Sequence, residues 1–403
     1  MRIRFTNIPV IKPDRDDEVR IRYKNIPVIT GVKRVKPLES YNYLSGALGL
    51  DYLKGIIEGV ERKIYILHDA HTITGECPSK LQSVIRTNEW VKQILEESPK
   101  FIDVFLESHY AEDYATVKKV FPKKGFRVPR FIFEIFQSTE EDEGVEKEEK
   151  IPDTLNLLAD DLTPCYRPDR SECPYDNVRI HYTDLRNYSQ FVGMFYGPIP
   201  LPDLFDFILS SFSRHTNDSD LLSKENFLNY IIENSKGTKI EKQWQQGPFA
   251  DVWKDMVRTM VGVYFDRRVK GAAFTLLALI ELIQSVPFDV TDDEIIFWIE
   301  DKEPQSFVYT RDEFKMFLVY MYTPFMDLYL MGRMLKKFKV SEGLEEDPLY
   351  AENIIVYAGG VHAETYYDFL TEVLGFKSEY RAKEYPDYAQ CLKIDDIQYP
   401  LFS

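Results

Sequence analysis

Cysteine is scarce in this chain: four residues in 403, at Cys77, Cys165, Cys173 and Cys391, none in a Cys-x-x-Cys pair. That scarcity argues against a disulfide-built scaffold and a structural zinc knuckle, and it makes reduced thiols the expectation. The spacing of Cys165 and Cys173 also matches no usual pair of zinc ligands. Long apolar runs are missing as well. The most apolar stretch, 271–286, is interrupted by Glu281 and Gln284 and falls short of the roughly 20 residues a membrane helix needs. The opening Met-Arg-Ile-Arg-Phe has no apolar core of a signal peptide, so a cytoplasmic protein without a membrane partner is expected. Basic charge is in deficit, with 50 Lys and Arg against 66 Asp and Glu, and a net charge of -16 repels phosphate backbones. Nucleic acid is therefore not an expected partner.

Apolar and aromatic residues are plentiful, at 44% and 14%, which is the composition of a folded globular chain. One repeat stands out: RIRFTNIPVI at 2–11 returns as RIRYKNIPVI at 20–29. Both copies favour extended backbone. They read either as a hairpin on their own domain or as a basic arm, 1–30, that pairs with a partner or a second copy.

Beyond the repeat, 41–61 reads as helix and KIYILHD at 63–69 as a buried strand. A helix over 80–97 and a strand over 101–107 follow, which together predict a βαβ unit with the two strands as parallel neighbours. The charge run 138–150 reads as a loop, 178–186 as a third strand, 353–360 as a fourth, and 363–374 as the helix after it. Residues 203–345 read as almost wholly helical, with capping boxes at Thr291 to Glu294 and Thr310 to Glu313. The stretch 311–336 sets Phe325, Leu328 and Met331 at helical spacing, the pattern of a packed face. The expected fold class is α/β: a mainly parallel sheet flanked by helices, with a large helical insertion and an N-terminal extended repeat arm. The expected divisions are 1–36, 37–200, 201–348 and 349–403.

Histidine placement carries the functional expectation. His68 and His71 follow the first strand, His109 the second and His362 the fourth, while His181 lies within the third and reads as a packed residue; His215 lies away from the sheet. Parallel strands bring their carboxyl ends to one crevice, where Asp69, Glu107 and Asp184 also fall. Such a cluster supplies metal ligands or a general base with an orienting carboxylate. The candidate catalytic residues are His71, Asp69, Glu107 and His362, with His109 and Asp184 as substrate-binding candidates. His71, Glu107 and His362 are the candidate ligands for a divalent transition metal, zinc, manganese or cobalt.

These residues resemble the superfamily of erythromycin esterases, ChaN-like haem-binding proteins and the TraB and TIKI proteases. Its members follow a first strand with a Gly-Glu-x-His motif, end a second strand in Glu and carry a late Gly-x-x-His. LHDAHT at 67–72 supplies Asp69 and His71, FLES at 105–108 supplies Glu107, and AGGVHA at 358–363 supplies His362. His68 stands where the family has glycine, and Asp69 is one methylene shorter than the family's acid. Pieces of the chain also resemble uncharacterised proteins of large DNA viruses, which implies host cytoplasm or a virion as the setting. The resemblance implies a hydrolase that activates water at a histidine, carboxylate or metal site, on an unknown substrate. Its alternatives are an inactive structural or interaction protein that keeps the fold, and a small-molecule or haem-binding module.

Overall fold

The computed structural model of the chain describes residues 3–5, 27–29, 36–70, 76–108, 154–166, 172–183, 224–266, 323–339, 347–385 and 388–402. Strands β1 (Ile3–Phe5) and β2 (Pro27–Ile29) pair antiparallel, Ile3 opposite Ile29, so the first copy of the repeat meets the end of the second within one chain. The next elements are β3 (Tyr43–Ser45), β4 (Gly49–Ile57), β5 (Val60–Asp69), β6 (Val84–Arg86), helix α1 (Thr87–Glu97) and β7 (Ile102–Leu106). Helix α2 (Thr154–Tyr166) and β8 (Val178–Tyr182) follow, then helices α3 (Lys224–Ser235), α4 (Lys239–Trp244) and α5 (Trp253–Tyr264). Helix α6 spans 323–335. The chain then forms β9 (Asn353–Gly359), α7 (Gly360–Asp368), β10 (Lys377–Arg381), β11 (Lys383–Tyr385) and β12 (Tyr388–Lys393).

Two sheets of mixed pairing organise these elements. The larger has the order β10-β4-β5-β9-β7-β8: the block β5, β9, β7 and β8 is parallel, while β4 and β10 add antiparallel edges. The smaller has the order β11-β12-β3-β6, antiparallel except where β3 meets β6. The protein is thus mixed α/β, with helices against its sheets.

Three sequence expectations are corrected. Residues 41–61 are not a helix but β3, β4 and the start of β5. Leu50, Leu53 and Ile57 are buried at helical spacing, yet Glu58 and Gly59 both take positive φ, 50° and 77°, and turn β4 back onto β5 as a hairpin. Two consecutive positive-φ residues end any helix, and the nine-residue register from Gly49 to Ile57 against β5 satisfies the backbone instead. Second, the helix expected over 80–97 begins only at Thr87, because 84–86 joins the small sheet. Third, β5 and β7 run the same way but are not neighbours: β9 lies between them and pairs with both. β9, the last strand of the parallel block, fills the gap that the crossover through α1 leaves open.

Strand alternation divides the core. Tyr65, Leu67, Val104, Leu106, Ile355 and Tyr357 face a cluster completed by α1 and α2. Ile64, Ile66, Phe105, Ile354, Val356 and Ala358 face the other, built from α3 to α7. Phe325, Leu328 and Met331 lie in that second cluster, as their spacing predicts, so the described helical elements share a core with the sheet. The capping boxes at 291–294 and 310–313 lie outside the described residues, as do 311–322 and 271–286.

Helix α6 is fixed at its end by Arg62. This buried guanidinium donates to the carbonyls of Met334 at 3.0 Å, Leu335 at 3.4 Å and Ala351 at 2.6 Å. The last carbonyls of a helix have no partner of their own, and a cation there also meets the negative end of the helix dipole. One side chain of β5 therefore sets where α6 lies across the sheet.

The cysteines also depart from expectation. Instead of reduced thiols, the four form two disulfides, Cys77–Cys391 and Cys165–Cys173. The first ties the segment before α1 to β12, where Glu76 and Gln390 already bridge. Sequence spacing hid this pair because its two halves lie 314 residues apart. Among the described residues no helix is long and apolar enough to cross a membrane.

Candidate functional site

The carboxyl edge of the parallel block is where the site was expected, and two of its predicted members meet there. Glu107 prolongs the ladder of β7 by donating its backbone N–H to Tyr357 O at 2.9 Å. Its side chain lies by alternation on the face of Phe105, and Oε2 accepts the backbone N–H of Gly359 at 2.6 Å. His362 sits in the first turn of α7, directly after β9. That placement brings its Nε2 to 3.3 Å from Glu107 Oε1.

A third member comes from the helical segment. Asp327, on α6, accepts from His362 Nδ1 at 2.6 Å. All three side chains are nearly inaccessible, at 7% for His362, 2% for Asp327 and none for Glu107. Burial pushes the Asp327 carboxyl up from the ordinary carboxylate range, opposed by His362 and by a hydrogen bond from Tyr366. The imidazole is therefore oriented by one carboxylate at Nδ1 and faces a second across a gap at Nε2. Asp327 was missed in the sequence, although one signal was present: a single charge inside the apolar run Phe325 to Met331. A lone acid on a buried face must find a partner.

The other predicted residues separate. Asp69 ends β5 opposite Gly359 and is buried, but alternation places it with Tyr65 and Leu67, on the opposite face from Glu107. His68 lies within β5 rather than after it, and donates from Nε2 to Asp51 Oδ2 on β4 at 2.9 Å. Arg381 of β10 holds the other oxygen of Asp51 at 3.0 Å. A Cβ on Gly49 would come within 3.0 Å of the His68 ring, so glycine gives that ring its space. His71, His109, Asp184 and His215 lie outside the described residues.

His181, read as a packed strand residue, is fully buried between Phe105 and Phe338, with ring centroids 4.2 and 5.4 Å away. Its Nε2 meets Asp103 Oδ1 at 2.8 Å, and Arg333 donates from Nε to its Nδ1 at 2.9 Å. Arg179 holds Asp103 in a fork, at 2.6 and 3.1 Å. This second polar centre lies toward the amino end of β7, four residues before Glu107 and on the same face.

Among the described residues no group of three or more His, Cys, Asp and Glu is arranged to hold a metal ion. His362 and Glu107 are two suitable donors side by side. Asp327 on Nδ1 is the outer carboxylate that a metal-bound histidine ordinarily carries. The third expected ligand, His71, is not among the described residues. Comparisons of the chain with protein-family models, with curated proteins and with solved structures yield no match.

Proposed function

We propose that the chain is a hydrolase of the type its motifs resemble, and that His362 is the group that takes a proton from water. The observation that supports this is the oriented imidazole: Asp327 lies 2.6 Å from Nδ1, and with Nδ1 as the donor the basic nitrogen is Nε2. Glu107, 3.3 Å from Nε2, is placed to stabilise the imidazolium that forms when that nitrogen takes the proton. The Gly359 N–H at Glu107 Oε2 holds the carboxylate in that orientation. The activated water attacks an ester or amide carbonyl, and the imidazolium returns its proton to the leaving group. Where a zinc, manganese or cobalt ion takes part, His362, Glu107 and His71 are its proposed holders, and the ion supplies a Lewis acid that acidifies bound water.

The near-complete burial of the trio favours a second reading, in which Asp327 and His362 simply fasten α6 to α7 and the protein serves interaction rather than catalysis. The two readings differ in one measurement, hydrolysis of a panel of aryl esters and fluorogenic peptides by the wild-type chain and by His362→Gln. Turnover lost in the variant while its fold persists supports the hydrolase, and equal rates support the fastener. The basic repeat, 1–30, is proposed as a self-association arm; a chain lacking it that loses much of its stability while keeping its oligomeric state shows that proposal wrong.

A further inference from the structure

Among the described residues, the second polar centre carries more positive charge than its neighbours balance. Arg179, Arg333 and Lys336 all gather at Phe338, with their charged groups 3.7, 5.9 and 5.3 Å from the ring centroid. Arg179 is committed to Asp103 and to Pro348 O. Arg62 is committed to the end of α6. Asp103 is the carboxylate at the centre, and the fork of Arg179 already occupies both its oxygens.

That leaves two cations. Arg333 spends Nε on the neutral Nδ1 of His181. Among the described residues its two terminal amino groups and the Lys336 ammonium have no hydrogen-bond acceptor. The 336–338 segment is itself held in place, Lys337 N donating to Gln246 O at 3.1 Å and Phe338 N to Leu349 O at 2.7 Å. Half-buried like charges that are anchored and unbalanced raise the energy of the fold, and an anion between them relieves it. The Lys336 ammonium is pushed down to about 8, by burial first and then by Arg333 and Arg179, as expected where no anion compensates it.

We propose that Arg333 and Lys336, over Phe338, form a binding site for a dianionic oxyanion of the phosphate-monoester type. Two uncompensated positive charges match a dianion. The free fork of Arg333 suits two oxygens of a tetrahedral group, and Lys336 supplies a point charge to a third. The site is separate from His362: Asp103 and Glu107 lie four residues apart on one strand, about 13 Å at a strand's rise per residue.

The test is a titration of the full chain with inorganic phosphate and with phenyl phosphate, at ionic strength matched by sodium chloride, followed by calorimetry and by melting temperature. The expected result is saturable binding and a rise in melting temperature with either phosphate but not with chloride. Binding is expected to weaken at least tenfold in Lys336→Gln and in Arg333→Gln, and to persist in Lys339→Gln and in His362→Gln. If Arg333→Gln does not fold, Lys336→Gln alone decides. Phosphate acting no differently from chloride, or binding Lys336→Gln as tightly as the wild type, overturns the proposal. Retained phosphate binding in His362→Gln separates this site from the proposed hydrolytic one, since either can fail without the other.

Discussion

Asp327 reaches His362 across 35 residues of sequence and holds its Nδ1 at 2.6 Å, joining the helical segment to the carboxyl edge of the sheet. Neither partner is exposed. Removing one leaves the other buried without its hydrogen-bond partner, a loss on the order of 1 to 3 kcal/mol. Asp327→Asn and His362→Gln are each expected to lower stability by about that amount. The double variant should lose less than the sum, with a coupling of about 1 to 3 kcal/mol in denaturant unfolding. Strictly additive losses would show that the two side chains do not interact in solution.

His181 is expected to be neutral, with its proton on Nε2. Arg333 can only donate, so Nδ1 must present a lone pair, and Asp103 takes the Nε2 proton. Nitrogen-15 chemical shifts of the ring at neutral pH are the check. An Nδ1–H tautomer, or an imidazolium, would contradict the geometry.

The pH dependence of stability near Lys336 has a definite sign. Its ordinary value of 10.5 falls to about 8 in the folded chain. The folded state then gives up the proton before the unfolded state does. The penalty is complete below about 8 and is relieved as pH rises from there to 10.5. Lys336→Met should therefore be more stable than the wild type at pH 7, and the advantage should shrink above pH 8. Because the side chain is only partly buried, solvent screening keeps the effect modest. An advantage that stays constant to pH 10.5 would assign it to packing rather than charge.

Loss of Cys77–Cys391 should be the costliest single change at the periphery. The bond closes a separation of 314 residues, worth about 6 kcal/mol in the chain-entropy view. Cys165–Cys173, with a separation of 8, should be worth about half as much. Non-reducing peptide mapping checks the pairing, and melting with and without reductant checks the ranking. Intact bonds point to an oxidising compartment rather than the reducing cytoplasm. Free thiols in the purified chain would restore the expectation drawn from cysteine scarcity.

Legibility in the sequence followed how local the determining interactions are. Strands β5, β7, β8 and β9 were readable from their short apolar runs, and α7 lies where a helix was expected after β9, although it begins at Gly360 rather than at 363. The placement of β9 between β5 and β7 was not readable, since crossover length does not say how many strand positions it skips. β4 was misread because Leu50, Leu53 and Ile57 repeat at helical spacing, and the Glu58–Gly59 turn that overrides it is a weak signal. Of the site, Glu107 and His362 were recoverable from strand ends. Asp327 was not, because its partner arrives from an element far along the chain, as does the Arg333 that completes the environment of His181.

His362 is proposed to activate water while Asp327 orients it. The most direct measurement is the initial rate of ester and peptide hydrolysis by wild type, His362→Gln, Asp327→Asn and His68→Gln, each with its melting temperature recorded on the same preparation. Measurable turnover by the wild type and a loss of at least a hundredfold in His362→Gln are expected. A smaller loss is expected in Asp327→Asn, and near wild-type rates in His68→Gln. No turnover by folded wild-type protein across the panel, or equal rates in His362→Gln, would contradict the proposal.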